Sequence, residues 1–182
     1  MHLTAGLYKG SKVDVPKGVK PTLSKVRESV FNVLNSYFYD SDNLSFLDLF
    51  AGSGIMSLEA ISRGYKVTSI ELNRKNFQII KSNFKSINAQ ADLICADCIK
   101  FLKSNTEKFD VIYIDPPWTN ADFKYTYNDI LELAFNNIKE SGIIVFESEK
   151  IKKLLHQDLK FFEEKLIREK VYGRCLLSFY KA

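Results

Sequence analysis

Cysteine, histidine and long apolar runs are scarce in this chain of 182 residues. Three cysteines are an odd, sparse set, which argues against a disulfide scaffold and fits a reducing cytoplasm. We find no apolar run long enough to span a membrane, and no signal-peptide pattern at the start. Neither Cys175 nor the two histidines could complete a metal site with Cys95-x-x-Cys98 at ligand spacing. We therefore expect a cytoplasmic protein of one ordinary domain, without a metal.

Acidic residues are nearly absent from residues 1–27, a segment that we call the basic arm. It holds one acid, Asp14, and six bases: Lys9, Lys12, Lys17, Lys20, Lys25 and Arg27. Its net charge is therefore +5, and the rest of the chain sums to −1, since the whole has +4. A basic segment on a nearly neutral body is expected of a protein that binds a phosphate backbone. A solvated, lysine-rich terminus explains the charge equally well.

Glycine and proline punctuate the first 22 residues, where short apolar stretches predict a hairpin followed by a basic loop. Apolar residues at helical spacing from Val26 to Phe38 predict a helix that packs on the core. Ser24 is the expected N-cap of that helix, with Thr22 as the alternative.

From Phe46 onward, strand-like and helix-like stretches alternate. The predicted strands are Phe46–Phe50, Lys66–Ile70, Ala91–Cys95, Phe109–Ile114, Gly142–Phe146, Phe162–Val171 and Arg174–Lys181. The predicted helices are Ile55–Arg63, Arg74–Ile87, Cys98–Lys103, Asn128–Asn137 and Ile151–Leu159. Alternation of this kind is typical of a parallel sheet with helices on both faces. We predict an α/β fold with a doubly wound, mostly parallel seven-stranded sheet and an antiparallel C-terminal hairpin. It spans residues 41–182 and follows a small N-terminal extension of residues 1–40.

A glycine loop, Asp48-Leu-Phe-Ala-Gly52-Ser-Gly54, joins the first predicted strand to a helix. Glycines at such a turn let the backbone approach a ligand and aim helix N-terminal amides at it. The third glycine of the dinucleotide fingerprint would fall at Ser57 and is missing. Asp48 also places a negative charge where a pyrophosphate would have to lie. The loop therefore disfavours an anionic dinucleotide and favours the cationic S-adenosylmethionine.

Acidic residues stand at the ends of three successive predicted strands. Asp48 lies near the end of the first, and Glu71 directly follows the second, 17 residues after Gly54, where a carboxylate can accept both hydroxyls of a ribose. Asp97 follows the third strand, where it could reach an adenine amine. A helix cap or a solvated strand end explains each acid singly, but the three together indicate a cofactor pocket.

The tetrapeptide Asp115-Pro116-Pro117-Trp118 follows the fourth predicted strand and contains the only Trp of the chain. It suits a flat base with an exocyclic amine, because the carboxylate and the Pro116 carbonyl accept N–H groups and the ring stacks. In a doubly wound sheet the first and fourth strands are neighbours, and ligands bind outside their carboxyl ends. We therefore expect the tetrapeptide to face the glycine loop across one crevice, as a methyl acceptor faces a donor.

These residues together resemble a class I S-adenosylmethionine-dependent methyltransferase. More narrowly they resemble the bacterial RsmD family, which methylates guanine N2 in small-subunit ribosomal RNA. The resemblance covers nearly the whole chain and rests on Gly6–Lys12, Lys20–Asn32, Leu47–Gly54, Ser57–Ala60 and Asp115–Trp118. Trp118 stands where the family usually has Phe or Tyr. Lys20 replaces a common Arg, which keeps the charge and loses the bidentate fork.

The resemblance implies roles for three sets of residues. The residues implied to bind the target base are Asp115, Pro116, Pro117 and Trp118. The residues implied to bind the cofactor are Asp48, Phe50, Ala51, Gly52, Gly54, Glu71, Leu72, Asp97 and Cys98. The residues implied to bind RNA are Lys9, Lys12, Lys20, Thr22, Lys25 and Arg27. The implied cofactor is S-adenosylmethionine, and the implied partner of this expected monomer is ribosomal RNA or an assembling small ribosomal subunit.

Other functions compete with this interpretation. An adenine-N6 methyltransferase acting on DNA or RNA would share the site, and the tetrapeptide itself does not choose between the two bases. DNA-modifying enzymes of that kind usually add a target-recognition segment, for which 182 residues leave no room. A protein glutamine methyltransferase would favour Asn at position 115. An NAD oxidoreductase or a binding module would have to explain Asp48 and the missing third glycine.

Overall fold

The computed structural model describes residues 1–39, 41, 43–117, 123, 125–150 and 162–182. The chain forms two compact units, Met1–Cys98 (unit 1) and Ile99–Ala182 (unit 2). The helix predicted over Ile151–Leu159 lies outside the described residues. Within the described ranges, no helix is long and apolar enough to cross a membrane.

Unit 1 holds three parallel strands connected through helices. Its elements are α1 (Ser24–Tyr37), β1 (Ser45–Asp48), α2 (Ile55–Ser62), β2 (Lys66–Ile70), α3 (Arg74–Ser86) and β3 (Asp92–Ile94). Strand β2 pairs in parallel with β1 on one side and β3 on the other. Because the three strands run in the same direction, their carboxyl ends lie at one edge. The predicted strands and helices from Phe46 to Ile87 are confirmed, with small shifts at their ends.

Helix α1 begins without a side-chain cap. Leu23 is the N-cap residue and no side chain bonds to the first amides, so the predicted caps Ser24 and Thr22 are wrong. The predicted packing on the core is confirmed, since Phe31 stacks on Phe46 of β1 with ring centroids 6.0 Å apart. Burial of its apolar face, rather than a cap, therefore stabilises this helix.

The hairpin predicted in the first 22 residues is reduced to one antiparallel bridge, between His2 and Lys12. Gly6 and Gly10 have φ angles of 79° and 83° and turn the chain too sharply for a longer ladder. The amide of Leu7 donates to a carbonyl of α2, at Ser62, over 2.7 Å. The segment is therefore attached to the body of unit 1.

Unit 2 begins within α4 (Cys98–Ser104), whose first residue is the last residue of unit 1. Its other elements are β4 (Phe109–Ile114), α5 (Tyr127–Asn137), β5 (Ile138–Glu149), β6 (Leu166–Tyr172) and β7 (Cys175–Lys181). Strand β5 is parallel to β4, and β7 is antiparallel to both β5 and β6. Strand β5 extends beyond the predicted Gly142–Phe146 at both ends. The prediction was too short because the added residues are mostly polar and lack the apolar pattern of the centre of the strand.

The seven strands have the order β3-β2-β1-β4-β5-β7-β6. This order, with its antiparallel C-terminal hairpin, confirms the predicted doubly wound, mostly parallel α/β fold.

Candidate active site

The glycine loop connects β1 to α2 and depends on two left-handed residues. Gly52 has a φ angle of 56°, and Gly54, the N-cap of α2, has a φ angle of 78°. The amide of Ala51 donates to the carbonyl of Ile70 over 2.9 Å, which ties the loop to the end of β2. A Cβ atom at Gly54 would lie 3.2 Å from side-chain atoms of α3. Gly54 therefore allows both the turn and the close approach of α3.

We expect Gly54→Ala to lower the free energy of unfolding more than Gly10→Ala does. Both positions have positive φ, which costs a non-glycine residue about 1–3 kcal/mol. A methyl group at Gly54 must also displace Ile80 and Phe84, whereas nothing lies within 4 Å of the same group at Gly10. Urea unfolding of both variants measures the difference. Equal losses would show that contact with α3 is unimportant here.

Asp48 is buried at the end of β1 and bonded on one oxygen. Its Oδ2 atom accepts a hydrogen bond from Ser57 Oγ over 2.6 Å, and Ser57 Oγ lies 2.6 Å from Ser69 Oγ. A serine hydroxyl has one hydrogen, so Ser57 donates to Asp48 and accepts from Ser69. The residue in the place of the third fingerprint glycine thus holds the carboxylate. Within the described residues, Asp48 Oδ1 has no hydrogen-bond partner.

Burial raises the pKa of Asp48 to about 6. The hydrogen bond from Ser57 and the amide of Phe50 favour the charged form and oppose this rise, while the charge of Glu71 adds to it. An unpaired acceptor on a fully buried acid is costly. The geometry therefore fits a ligand that brings a donor or a positive charge to Oδ1.

Asp48 should make the protein less stable as the pH rises from about 4 to about 6. The native state binds this proton more tightly than the unfolded chain does, so its stabilising effect is lost as the group ionises. The rise in pKa from 3.8 to about 6 corresponds to about 3 kcal/mol. The free energy of unfolding, measured in urea across this pH range, should fall more steeply with pH in the wild-type protein than in Asp48→Asn. The exposed Asp14→Asn is the control, and a wild-type slope in Asp48→Asn would contradict the assignment.

Glu71 follows β2 and bonds to the glycine loop. Its Oε2 atom accepts the amide of Gly52 over 2.9 Å, and its Oε1 atom accepts the amide of Asn73 over 2.7 Å. Burial raises the pKa of this carboxyl as well. A carboxylate offers about four lone-pair positions, so both oxygens keep acceptor capacity. Unit 1 therefore brings Glu71, Asp48 and the glycine loop together.

The other predicted cofactor residues occupy the same edge of unit 1. Leu72 is 67% exposed. Asp97 is half-buried between β3 and α4, and Cys98 is buried as the first residue of α4. Phe50 is half-buried and Ala51 is buried. Across the described ranges, no group of three or more His, Cys, Asp or Glu could hold a metal ion.

The carboxyl end of β4, which Asp115 follows, lies in unit 2. Asp115 is half-buried, Pro116 is buried and Pro117 is exposed, while Trp118 lies outside the described residues. Tyr127, the first residue of α5, packs against Phe146 with ring centroids 5.0 Å apart. Burial raises the pKa of Tyr127, and the charges of Asp115 and Glu149 add to that rise. The phenol is therefore close to both carboxylates.

Sequence reasoning missed Tyr127 as a neighbour of Asp115, and Glu149 as a neighbour of Tyr127. Strand β5 pairs Phe146 with Ile114 and continues for three residues beyond it. Arg174, in the turn between β6 and β7, forms an ion pair with Glu149 at the end of β5. The Thr126-to-Asp129 capping box at the start of α5 was a sequence signal that could have located Tyr127.

The lysines of the basic arm are exposed, as expected for phosphate contacts. They are Lys9, Lys12, Lys17, Lys20 and Lys25. Lys12 lies 3.5 Å from Asp14 with both side chains more than 70% exposed, a pairing that contributes about 0–1 kcal/mol. Thr22, by contrast, is buried, and its carbonyl accepts a bond from Arg27 Nη1 over 2.6 Å. The expected RNA contact through Thr22 is therefore not supported.

The expected phosphate contact of Arg27 is wrong, because this side chain is buried and bonded within the protein. Its Nε atom lies 3.0 Å from Glu59 Oε1, and its Nη2 atom donates to the carbonyl of His2 over 2.9 Å. Glu59 is fully buried, also pairs with Arg63, and accepts the amide of Thr4 over 2.8 Å. Arg27 therefore holds the start of the chain against α1 and α2.

The strand order and the glycine loop with its flanking acids are those of a Rossmann-like methyltransferase. The family model described as Conserved hypothetical protein 95 matches residues 1–181, and the chain belongs to that family. Ribosomal RNA small subunit methyltransferase D of Haemophilus influenzae is 35% identical, covering 100% of this chain and 93% of that protein. The protein of the same name from Escherichia coli K12 is 29% identical, covering 100% and 89%.

A solved structure shows the same fold over the full length. It is named "Putative methyltransferase yhhF from Escherichia coli" and superimposes with a TM-score of 0.80 at 28% identity. The match covers 100% of this chain and 97% of the other. The basic arm is thus part of the shared length.

Proposed function

We propose that this protein transfers a methyl group from S-adenosylmethionine to the exocyclic N2 amine of a guanine in 16S, small-subunit ribosomal RNA. The observation that carries the proposal is the buried carboxylate of Asp48 at the glycine loop, whose Oδ1 atom has no partner among the described residues. Such an acceptor fits a cationic ligand and repels a pyrophosphate. The family relation to proteins named small-subunit ribosomal RNA methyltransferases supports the substrate.

Unit 1 supplies the cofactor contacts in this proposal. S-adenosylmethionine, when bound, supplies an electrophilic methyl group on a sulfonium centre. Asp48 Oδ1 accepts from the ammonium group of the amino-acid part, and Glu71 accepts from the ribose hydroxyls with its remaining lone pairs. Leu72 covers the adenine ring with apolar surface, and Asp97 accepts from its amine. Phe50, Ala51, Gly52, Gly54 and Cys98 complete the pocket wall.

Asp115, Pro116 and Trp118 hold the target amine in this proposal. The lone pair of guanine N2 is delocalised into the ring, so the amine is a poor nucleophile. Hydrogen bonds from its two N–H groups to the Asp115 carboxylate and the Pro116 carbonyl localise that pair. They also stabilise the positive charge that develops on nitrogen as it takes the methyl group, and one of its N–H protons leaves afterwards. The base must leave its stack, and stacking on Trp118 contributes about 1–3 kcal/mol.

The N-terminal extension, residues 1–40, binds the RNA in this proposal. Its five exposed lysines contact phosphates, which fix the position of the RNA without reading its sequence. The protein acts in the cytoplasm as a monomer, on ribosomal RNA or on an assembling small subunit. Adenine N6 is the alternative target, since the residues that bind the amine suit either base.

Transfer of radiolabelled methyl groups tests the proposal. The substrates are 16S ribosomal RNA and small subunits from a strain that lacks this gene, offered separately. We expect label in one of them, and label in neither would contradict the proposal.

Calorimetry should show binding of S-adenosylmethionine and none of NAD. Binding of NAD instead would contradict the cofactor assignment.

A further inference from the structure

The exposed face of α3 carries four cations and no acid. Arg74, Lys75, Lys81 and Lys85 are all exposed, and residues 74–86 contain no Asp or Glu. Arg74, Lys81 and Lys85 fall on one stripe of the helix, together with Gln78, because they are separated by intervals of three or four residues. The opposite face is buried through Ile80, Asn83 and Phe84.

Two of these charges oppose the stability of the helix. Arg74 and Lys75 lie in the first turn, at the positive end of the helix dipole, and that turn has no acidic residue. Lys81 and Lys85 are four residues apart and repel each other. Lys85, however, lies in the last turn, where the dipole favours a cation, and Lys81 Nζ lies 5.9 Å from the centroid of the Phe77 ring. Within the described ranges, none of the four forms an ion pair. The four cations therefore have no carboxylate partner among the described residues, and an external anion would supply one.

The buried face of α3 holds the basic arm. The side chain of Asn83 is bonded to both backbone groups of Asp14: the Asp14 amide donates to Oδ1 over 3.0 Å, and Nδ2 donates to the Asp14 carbonyl over 2.8 Å. Nδ2 also donates to the carbonyl of Ser53 in the glycine loop over 3.0 Å. The arm, α3 and the glycine loop are therefore fixed to one another, with Lys12 and Lys17 on either side of Asp14.

We propose that the exposed face of α3 extends the basic arm into a single surface that binds the phosphate backbone of the RNA substrate. The inference rests on the proposed function, because it assumes an RNA substrate. Phosphate contacts of this kind supply affinity and orientation and carry no sequence information. The surface begins beside the glycine loop, so a bound RNA strand passes near the cofactor edge of unit 1.

The test compares Lys81→Gln/Lys85→Gln with Lys100→Gln/Lys103→Gln, a matched pair of lysines on α4. Each protein is titrated with small-subunit ribosomal RNA between 50 and 200 mM salt. The logarithm of the binding constant falls as the logarithm of the salt concentration rises. Loss of two phosphate contacts should make this slope less steep by about 1.4–1.8 for the α3 variant. The α4 variant should keep the wild-type slope. The KM for RNA should rise for the α3 variant, while kcat and the affinity for S-adenosylmethionine stay unchanged.

Two outcomes would overturn the inference while the proposed function stands. One is a wild-type slope in the α3 variant, and the other is an equal reduction in both variants, which would indicate a general effect of charge. Wild-type protein that neither binds nor methylates the RNA would overturn the proposed function itself, and this inference with it. Urea unfolding of both variants confirms that they are folded.

Discussion

Replacing Asp115 by alanine is expected to reduce the rate of methyl transfer by roughly 100- to 1000-fold, the loss typical of removing one group that stabilises developing charge. The carboxylate is the strongest acceptor proposed for the target amine, and Pro116 alone cannot bind both N–H groups. Affinity for S-adenosylmethionine should stay unchanged, because the proposed cofactor contacts come from unit 1. Single-turnover rates with RNA, together with calorimetry of the cofactor, measure the two effects separately.

Two further variants, one at each end of β4, serve as controls for this interpretation. Asp115→Asn keeps one acceptor oxygen without the charge, so we expect a smaller loss of rate than with alanine. Asp110→Ala removes a carboxylate at the other end of β4, where it pairs with Lys139 over 2.8 Å, and should leave the rate near wild type. Full activity of Asp115→Ala, or a parallel loss of cofactor binding, would contradict the proposed role.

Replacing Glu59 by alanine is expected to lower the free energy of unfolding by about 3–5 kcal/mol, the usual cost of leaving a buried charge without its partner. The Arg27 side chain is only 2% exposed, and Glu59 is its carboxylate partner. The amide of Thr4 loses its acceptor as well. Urea unfolding measures the loss, and detachment of the first residues should appear as faster proteolysis before Val13.

The exposed pair of Lys12 and Asp14 provides the matched control. Lys12→Ala should cost about 0–1 kcal/mol, because both of those side chains are largely solvated. The double variant Arg27→Met/Glu59→Met should be more stable than Glu59→Ala, since it removes both buried charges together. A loss below 1 kcal/mol for Glu59→Ala would show that the buried pair does not hold the arm in place.

The fold could be predicted from the sequence because its elements have regular periods. Buried strands such as Phe109–Ile114 are short apolar runs, and helices such as Arg74–Ser86 repeat every three to four residues. The carboxyl end of β5 escaped prediction because its polar residues Glu147, Ser148 and Glu149 are buried and paired with β7, which is distant in sequence. Local pattern carries no information about that partner strand.

The site was less completely predicted, because several of its contacts join distant residues. Arg27 looked like a surface cation among lysines, and its partner Glu59 is 32 residues away. Nothing in the sequence pairs these two residues, so their burial could not be foreseen. Ser57 is a similar case, since the missing glycine was noticed, but its bond to Asp48 appears only when α2 packs against β1.

The most direct measurement is the identity of the nucleoside labelled in small-subunit ribosomal RNA. The wild-type protein and its Asp115→Ala variant are incubated with radiolabelled S-adenosylmethionine and RNA from a strain that lacks this gene. The RNA is then digested to nucleosides and separated. We predict label in N2-methylguanosine with the wild-type protein and almost none with the variant. Label in N6-methyladenosine, or equal labelling by both proteins, would contradict the proposal.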